Sequence, residues 1–136
     1  MARSNFENLR VYRLAEELAD DVWPIVLCWP QFAKDTLGKQ LVRSADSVGA
    51  NIAEGAGRRA FQDNRRFVRI ARGSLHETQH WLRRAYKRDL LTKSQVEGIK
   101  CILDELAPKL NAYLKSIGPQ PGNQITTNHG QRTTDN

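Results

Sequence analysis

His76-Glu77-Thr78-Gln79-His80 has the H-E-x-x-H pattern of zinc-dependent hydrolases. On a helix, residues four apart share a face, so both imidazoles can reach one ion while the glutamate acts as general base. Catalytic zinc also needs a third protein ligand, an open coordination position and a substrate cleft. Glu97 and Glu105 are candidate third ligands, but nothing in the sequence promises a strand to align a peptide substrate. The two histidines also project into a strongly basic surface whose field disfavours a dication. They read as surface histidines that join that surface when protonated.

Gly55-Ala56-Gly57-Arg58-Arg59-Ala60 matches the G-x-G-x-x-A form of the dinucleotide fingerprint. That motif works between a strand and a helix, where the pyrophosphate meets the helix N-terminus. Here a helix precedes it, so it reads as a helix-to-helix turn. Neither Cys28 nor Cys101 has a histidine close in sequence, no G-x-S-x-G elbow occurs, and the cysteines fit no metal or disulfide spacing. No enzyme, metal or cofactor is expected.

The residues most able to engage a partner are cationic. The chain has 136 residues, with 21 Lys+Arg against 15 Asp+Glu and a formal charge of +6. Residues 1–57 carry six basic and eight acidic side chains, and residues 89–136 carry five of each. Residues 58–88 carry ten basic and two acidic ones, and nine of the ten are arginine. On a helical projection Arg58, Arg65, Arg69, Arg72, Arg83 and Lys87 fall within about 60° of one another. Arg59, Arg66, Arg84 and Arg88 lie on the adjoining flank, and the apolar stripe is placed opposite. The result is a basic strip roughly 40 Å long at 1.5 Å per residue. Arginine suits bidentate contact with phosphate, so the strip points to a nucleic-acid backbone, RNA or DNA. No helix-turn-helix spacing or base-reading aromatic motif accompanies it. The competing reading pairs the strip with carboxylates such as Glu16, Glu17, Asp20 and Asp21, in the same subunit or another.

The elements that position the strip are helices. Glycine and proline gather near 30, 49–57 and 118–122, and β-branched alternation never persists. A first helix is expected over 8–29, capped by Asn5 or Asn8, with Tyr12, Ala15, Ala19, Val22 and Val26 on one face. Leu14, Leu18 and Ile25 widen that face beyond what one internal seam requires, which suggests self-association. Pro24 is expected to kink it. A second helix over 35–56 has Leu37, Leu41, Ala45, Val48 and Ile52 inward, and Gly55 and Gly57 are expected to stop it through left-handed backbone. A third, over 60–90, has Phe67, Ala71, Leu75, Thr78, Leu82 and Ala85 inward. A fourth runs from a Thr92 cap to about 117, with Val96, Ile99, Leu103, Leu106, Leu110 and Leu114 inward and Pro108 bending it. Short connections imply an all-α, antiparallel up-down-up-down four-helix bundle over residues 1–118.

The second and third helices form a hairpin turning near Arg58, in which Arg43 is expected near residues 74–77 and Asp46 near Arg69 and Arg72 as ion pairs. Asn51 and Glu54 are expected to bond backbone or helix-three arginines rather than to do acid–base work. Residues 119–136 hold Pro, Gly, Asn, Gln and Thr, with Ile125 the only large aliphatic, and read as a disordered tail. No apolar run approaches the length of a membrane span and no secretory leader is visible, so a cytoplasmic location is expected.

Three stretches together resemble a known family: Phe6-Glu7-Asn8-Leu9-Arg10-Val11-Tyr12, then Ser47-Val48-Gly49-Ala50-Asn51-Ile52-Ala53-Glu54-Gly55, then Arg69-Ile70-Ala71-Arg72-Gly73-Ser74-Leu75. They resemble the four-helix-bundle proteins encoded in intervening sequences of bacterial 23S ribosomal RNA genes, over about residues 6–117. Gly49 stands where that family often has proline, and His76 and His80 fall at its variable positions. The resemblance implies a bundle assembling with copies of itself into a homopentameric ring. It extends to the accessory proteins of diversity-generating retroelements, which bind nucleic acid and a reverse transcriptase. It carries over no catalytic residue. A protein-interaction scaffold, for example an accessory subunit for a reverse transcriptase, is the competing functional expectation.

Overall fold

The computed structural model describes Phe6 and residues 9–119. Among them are four long helices and no strand. Asn5 and Asn8, expected as caps, and all of the expected tail except Pro119 lie outside the described residues.

Helix α1 spans Arg10–Leu27 and begins at Leu9, which is extended and makes no side-chain cap. Its buried face is Val11, Leu14, Ala15, Leu18, Val22 and Val26, steps of three and four that keep one side of the cylinder inward. Pro24 lies inside the helix, which tightens at its end: Cys28 N–H donates to Ile25 O at 3.1 Å and Trp29 N–H to Val26 O at 3.0 Å. The wide apolar surface of α1 is therefore only partly spent on the core. Tyr12, Ala19 and Ile25 are half-buried, while Trp23 and Leu27 remain 55% and 54% exposed.

Helix α2, residues 31–56, starts four residues before the expected Asp35. It is α over Gln31–Ala33, π over Lys34–Gly38 and α over Lys39–Ala56. Apolar period alone does not reveal the π segment, because it adds a residue without breaking the helix. Gly38 ends it where a Cβ would stand 2.8 Å from Val26 Cγ1, so this glycine is fixed by contact with α1. The inward residues Leu37, Leu41, Ala45, Val48 and Ile52 are all buried as the spacing requires.

Gly55 and Gly57 act differently from the expectation. Neither has the positive φ of a left-handed stop; Gly57 caps the helix at φ −83. Gly55 is helical and buried, and a Cβ there would come within 2.6 Å of Asn64 Oδ1 and 3.0 Å of the Asn64 carbonyl. Its role is the close approach of α2 to the next helix.

Helix α3, Phe61–Lys87, buries Val68, Ala71, Leu75, Thr78, Leu82 and Ala85. Val68 takes the inward place expected for Phe67, which is half-buried. The left-handed residue that stops a helix is Asp89, at φ 60, just beyond α3. Leu90 N–H then returns to Ala85 O at 2.9 Å, and Leu90 O accepts from the Trp29 indole at 2.9 Å, fastening this turn to the end of α1. Helix α4, Lys93–Ser116, opens with a full capping box: Gln95 N–H donates to Thr92 Oγ1 at 3.1 Å and Thr92 N–H to Gln95 Oε1 at 2.9 Å. Ile99, Ile102, Leu106, Leu110 and Leu114 face inward.

The core joins all four helices, with Leu14, Leu18, Leu41, Ile52, Leu75, Leu106 and Leu110 almost fully enclosed. Deleting one such leucine side chain costs about 2–5 kcal/mol. The seam between α2 and α3 is polar at one level. Thr78 Oγ1 lies 3.0 Å from Ser44 Oγ and 2.8 Å from Ser74 O, while the Ser44 hydroxyl donates to Leu41 O at 3.1 Å. No helix among the described residues is long and apolar enough to cross a membrane.

Candidate nucleic-acid interface

The six strip residues do not form one uniform row. Arg58 falls outside α3, which begins at Phe61 after an extended Ala60, so the projection that carries it into the strip does not apply. Its guanidinium pairs with Glu54 at 2.8 Å and lies 4.8 Å from the centre of the Phe67 ring. Arg66 packs 4.5 Å from the same ring, so two cations share one aromatic side chain. Asn51 donates to Ser47 O at 2.8 Å, a backbone bond as expected, whereas Glu54 meets an arginine of the turn rather than one of α3.

Arg65 and Arg72 lean onto α4. Arg65 is half-buried and donates to Ile117 O at 2.7 Å, satisfying a carbonyl at the end of α4. Arg72 donates to Asn111 Oδ1 at 3.2 Å. The strip therefore runs along the shoulder between α3 and α4 rather than directly opposite the core. Arg69, Arg83 and Lys87 are exposed and make no hydrogen bond or ion pair among the described residues. Of the ten basic side chains in 58–88, only Arg58 meets a carboxylate there. Arg65 and Arg72 spend hydrogen bonds on neutral oxygens, which leaves their charge uncompensated.

The expected pairing of α2 with α3 is absent. Among the described residues neither Arg43 nor Asp46 makes an ion pair, because small hydroxyl residues fill the seam and Asp46 turns towards α1 instead. It lines a cleft of about 280 Å3 with Tyr12, Ala15, Glu16, Ala19, Asp20 and Gly49. Partial burial, and then the nearby Asp20 charge, hold the Asp46 carboxyl above its ordinary range. Among the described residues the acidic side of the bundle thus makes no ion pair at Glu16, Asp20 or Asp46, and the basic side makes one, at Arg58.

Charges are neutralised at the α1–α4 edge. Arg10 donates twice to Glu105, at 3.0 and 2.9 Å, and Lys109 stands 3.9 Å from the same carboxylate. The Arg10 hydrogen bonds, followed by the charges of Arg10 and Lys109, hold the Glu105 carboxyl below its ordinary value.

The H-E-x-x-H residues do not converge on an ion. His76 and His80 are exposed, and His80 packs edge-on against Trp81 at 4.7 Å. Glu77 accepts from the Trp81 indole at 3.1 Å, and Glu105 is taken by Arg10. No three His, Cys, Asp or Glu side chains among the described residues are grouped to hold a metal. Gly55–Ala60 runs from the last turn of α2 to the start of α3, so it lacks the strand-to-helix geometry of a dinucleotide site.

Comparison with known proteins agrees with this architecture. Residues 7–112 match the family model described as 23S rRNA-intervening sequence protein. A solved structure from Bacteroides thetaiotaomicron VPI-5482, described as a protein with unknown function from the S23 ribosomal protein family, superposes with a TM-score of 0.68 at 25% identity. The similarity covers 78% of this chain and 99% of that one. No curated protein matches the chain.

Proposed function

The chain belongs to the 23S rRNA-intervening sequence protein family, and from that premise we propose that it is a non-enzymatic protein that binds the backbone of RNA or DNA along the α3–α4 shoulder. The observation that carries this reading is the uncompensated charge of residues 58–88, where one basic side chain in ten meets a carboxylate among the described residues. Arg69, Arg83 and Lys87 present free cations, Arg65 and Arg72 extend the same edge, and Arg58 marks its end at the turn. Counterion release from phosphates supplies the driving force, so binding is backbone-directed and weakens steeply as salt rises. Cytoplasmic nucleic acid, RNA first, is the proposed partner.

The same reading includes an antiparallel up-down-up-down topology and assembly with further copies as a homopentameric ring. Facing pairs support the topology: Ser44 with Thr78 and Gly55 with Asn64 between α2 and α3, and Arg65 with Ile117 and Arg72 with Asn111 between α3 and α4, since within each seam one number falls as the other rises. Trp23, Leu27 and Phe32, the last 81% exposed, support a contact between subunits. These exposed apolar side chains equally favour a second reading, in which a protein such as a reverse transcriptase docks on them and the bundle is its accessory subunit.

Purification of the full chain at low salt tests the proposal. The wild type is expected to carry nucleic acid, seen as excess absorbance at the nucleotide maximum, and an Arg69→Gln/Arg83→Gln/Lys87→Gln variant is expected to come clean. Protein alone in the wild-type preparation, with no affinity for added RNA or DNA, would overturn it. Light scattering that gives a monomer at micromolar concentration would remove the ring.

A further inference from the structure

Beside the free end of the strip, α3, α4 and the turn between them border a cleft of about 250 Å3. Leu82, Leu91 and Leu103 line it with Gln79, Tyr86 and Arg83. Tyr86 is 55% exposed, an aromatic ring left in water at the lip of an apolar recess. It follows Arg83 by three residues and precedes Lys87 by one, so ring and free cations occupy the same turn of α3. The cleft is smaller than the roughly 300–1,000 Å3 of sites that enclose a whole small ligand. A single flat ring carried on a longer chain suits it better.

We propose that this cleft takes an unpaired nucleobase, stacked on Tyr86, from a single strand whose phosphates lie on Arg83 and Lys87. This rests on the backbone-binding reading above and narrows it to single-stranded or locally unpaired nucleic acid. Charge complementarity selects the partner: the recess is apolar, but Arg83 at its margin and Lys87 beside it have no carboxylate partner among the described residues. A duplex satisfies the phosphate contacts equally well, yet its bases are stacked inside and cannot enter. Every base has a π face, so stacking adds affinity without sequence selection, and the Gln79 amide on the cleft wall offers a donor and an acceptor to a base edge.

Affinity measurements on the full chain test this with three probes of about 12 nucleotides: oligothymidylate, an all-abasic strand of equal charge, and a duplex. The wild type is expected to prefer the base-bearing strand to the abasic one by about tenfold, within the range that one stacked base provides. Tyr86→Ala is expected to abolish that preference while the abasic strand keeps its salt dependence, and Tyr86→Phe to restore the preference. Equal wild-type affinity for base-bearing and abasic strands, or a preference unchanged in Tyr86→Ala, would overturn the base cleft and leave the basic edge standing. If no probe binds the wild type, the basic edge itself falls and the cleft with it. Repeating the base-bearing arm with oligouridylate separates RNA from DNA: comparable stacking preferences support the inference, and a preference absent from both contradicts it.

Discussion

The α1–α4 edge and the α3 shoulder are both rich in charge, but only the first closes its charges within the chain. At the edge, Glu105 is shared by Arg10 and Lys109. On the shoulder, Arg69, Arg83 and Lys87 have no such partner among the described residues, and Arg65 and Arg72 reach only neutral oxygens. Paired charges fix how helices sit; unpaired ones on a rigid helix wait for a ligand. The difference gives the first region structural work and is what supports the binding proposed for the second.

The strongest way to break that division acts on the backbone contact that places α3. Gly55→Ala sets a methyl group against Asn64 Oδ1, the Asn64 carbonyl and Phe67 Cβ, all within 3.1 Å. Unfolding by denaturant should show a loss of about 1–3 kcal/mol, the usual cost of overpacking. No loss would mean that α2 and α3 are less tightly apposed than described.

A smaller effect separates tethered from free arginines on the same helix. Arg65→Gln removes a hydrogen bond to Ile117 O and should cost about 1 kcal/mol. Arg69→Gln breaks nothing among the described residues and should leave the melting temperature unchanged while weakening nucleic-acid binding. Equal thermal stability of the two variants would erase the distinction.

The smallest effects come from two carboxylates with opposite pH dependence. Glu105 is held below its ordinary range, so it contributes stability that is present above that range and is lost as pH falls through its folded value. Asp46 is held above its ordinary range, so the native state retains its proton more tightly, and stability declines as pH rises through the carboxylate range to that raised value. Thermal melts across acid to neutral pH should therefore show Glu105→Gln with a shallower acid loss and Asp46→Asn with a slightly higher melting temperature at neutral pH. Neither change should alter nucleic-acid affinity much, and a large change from Glu105→Gln would sink the division between edge and shoulder.

The sequence makes the helices legible because burial follows spacing within one helix. All five expected inward residues of α2 are buried, and the Thr92 cap of α4 is present with its Gln95 partner. What it conceals depends on distances between helices. Nothing in the apolar period marks the π segment at Lys34–Gly38, or shows that Gly55 serves helix contact rather than termination. The projection extends through Arg58 because charge alone does not reveal that Ala60 is extended. It groups Arg65 with Arg69 because residues four apart share a face, although only the first reaches the end of α4. The stack of Arg58 and Arg66 on Phe67 has only a faint signal, an arginine directly before the aromatic, because Phe67 fits the inward spacing as well as Val68 does. Tyr86 has the same kind of signal: an aromatic between Arg83 and Lys87 that the core does not use.

The slope of log affinity against log salt, for the full chain and a single-stranded oligonucleotide, tests the central claim most directly. Each phosphate neutralised contributes about −0.7 to that slope for single strands. The wild-type slope is expected to be steep and to shrink by about two units when Arg69, Arg83 and Lys87 are replaced by glutamine, with no change in thermal stability. An identical slope in wild type and triple variant would contradict it.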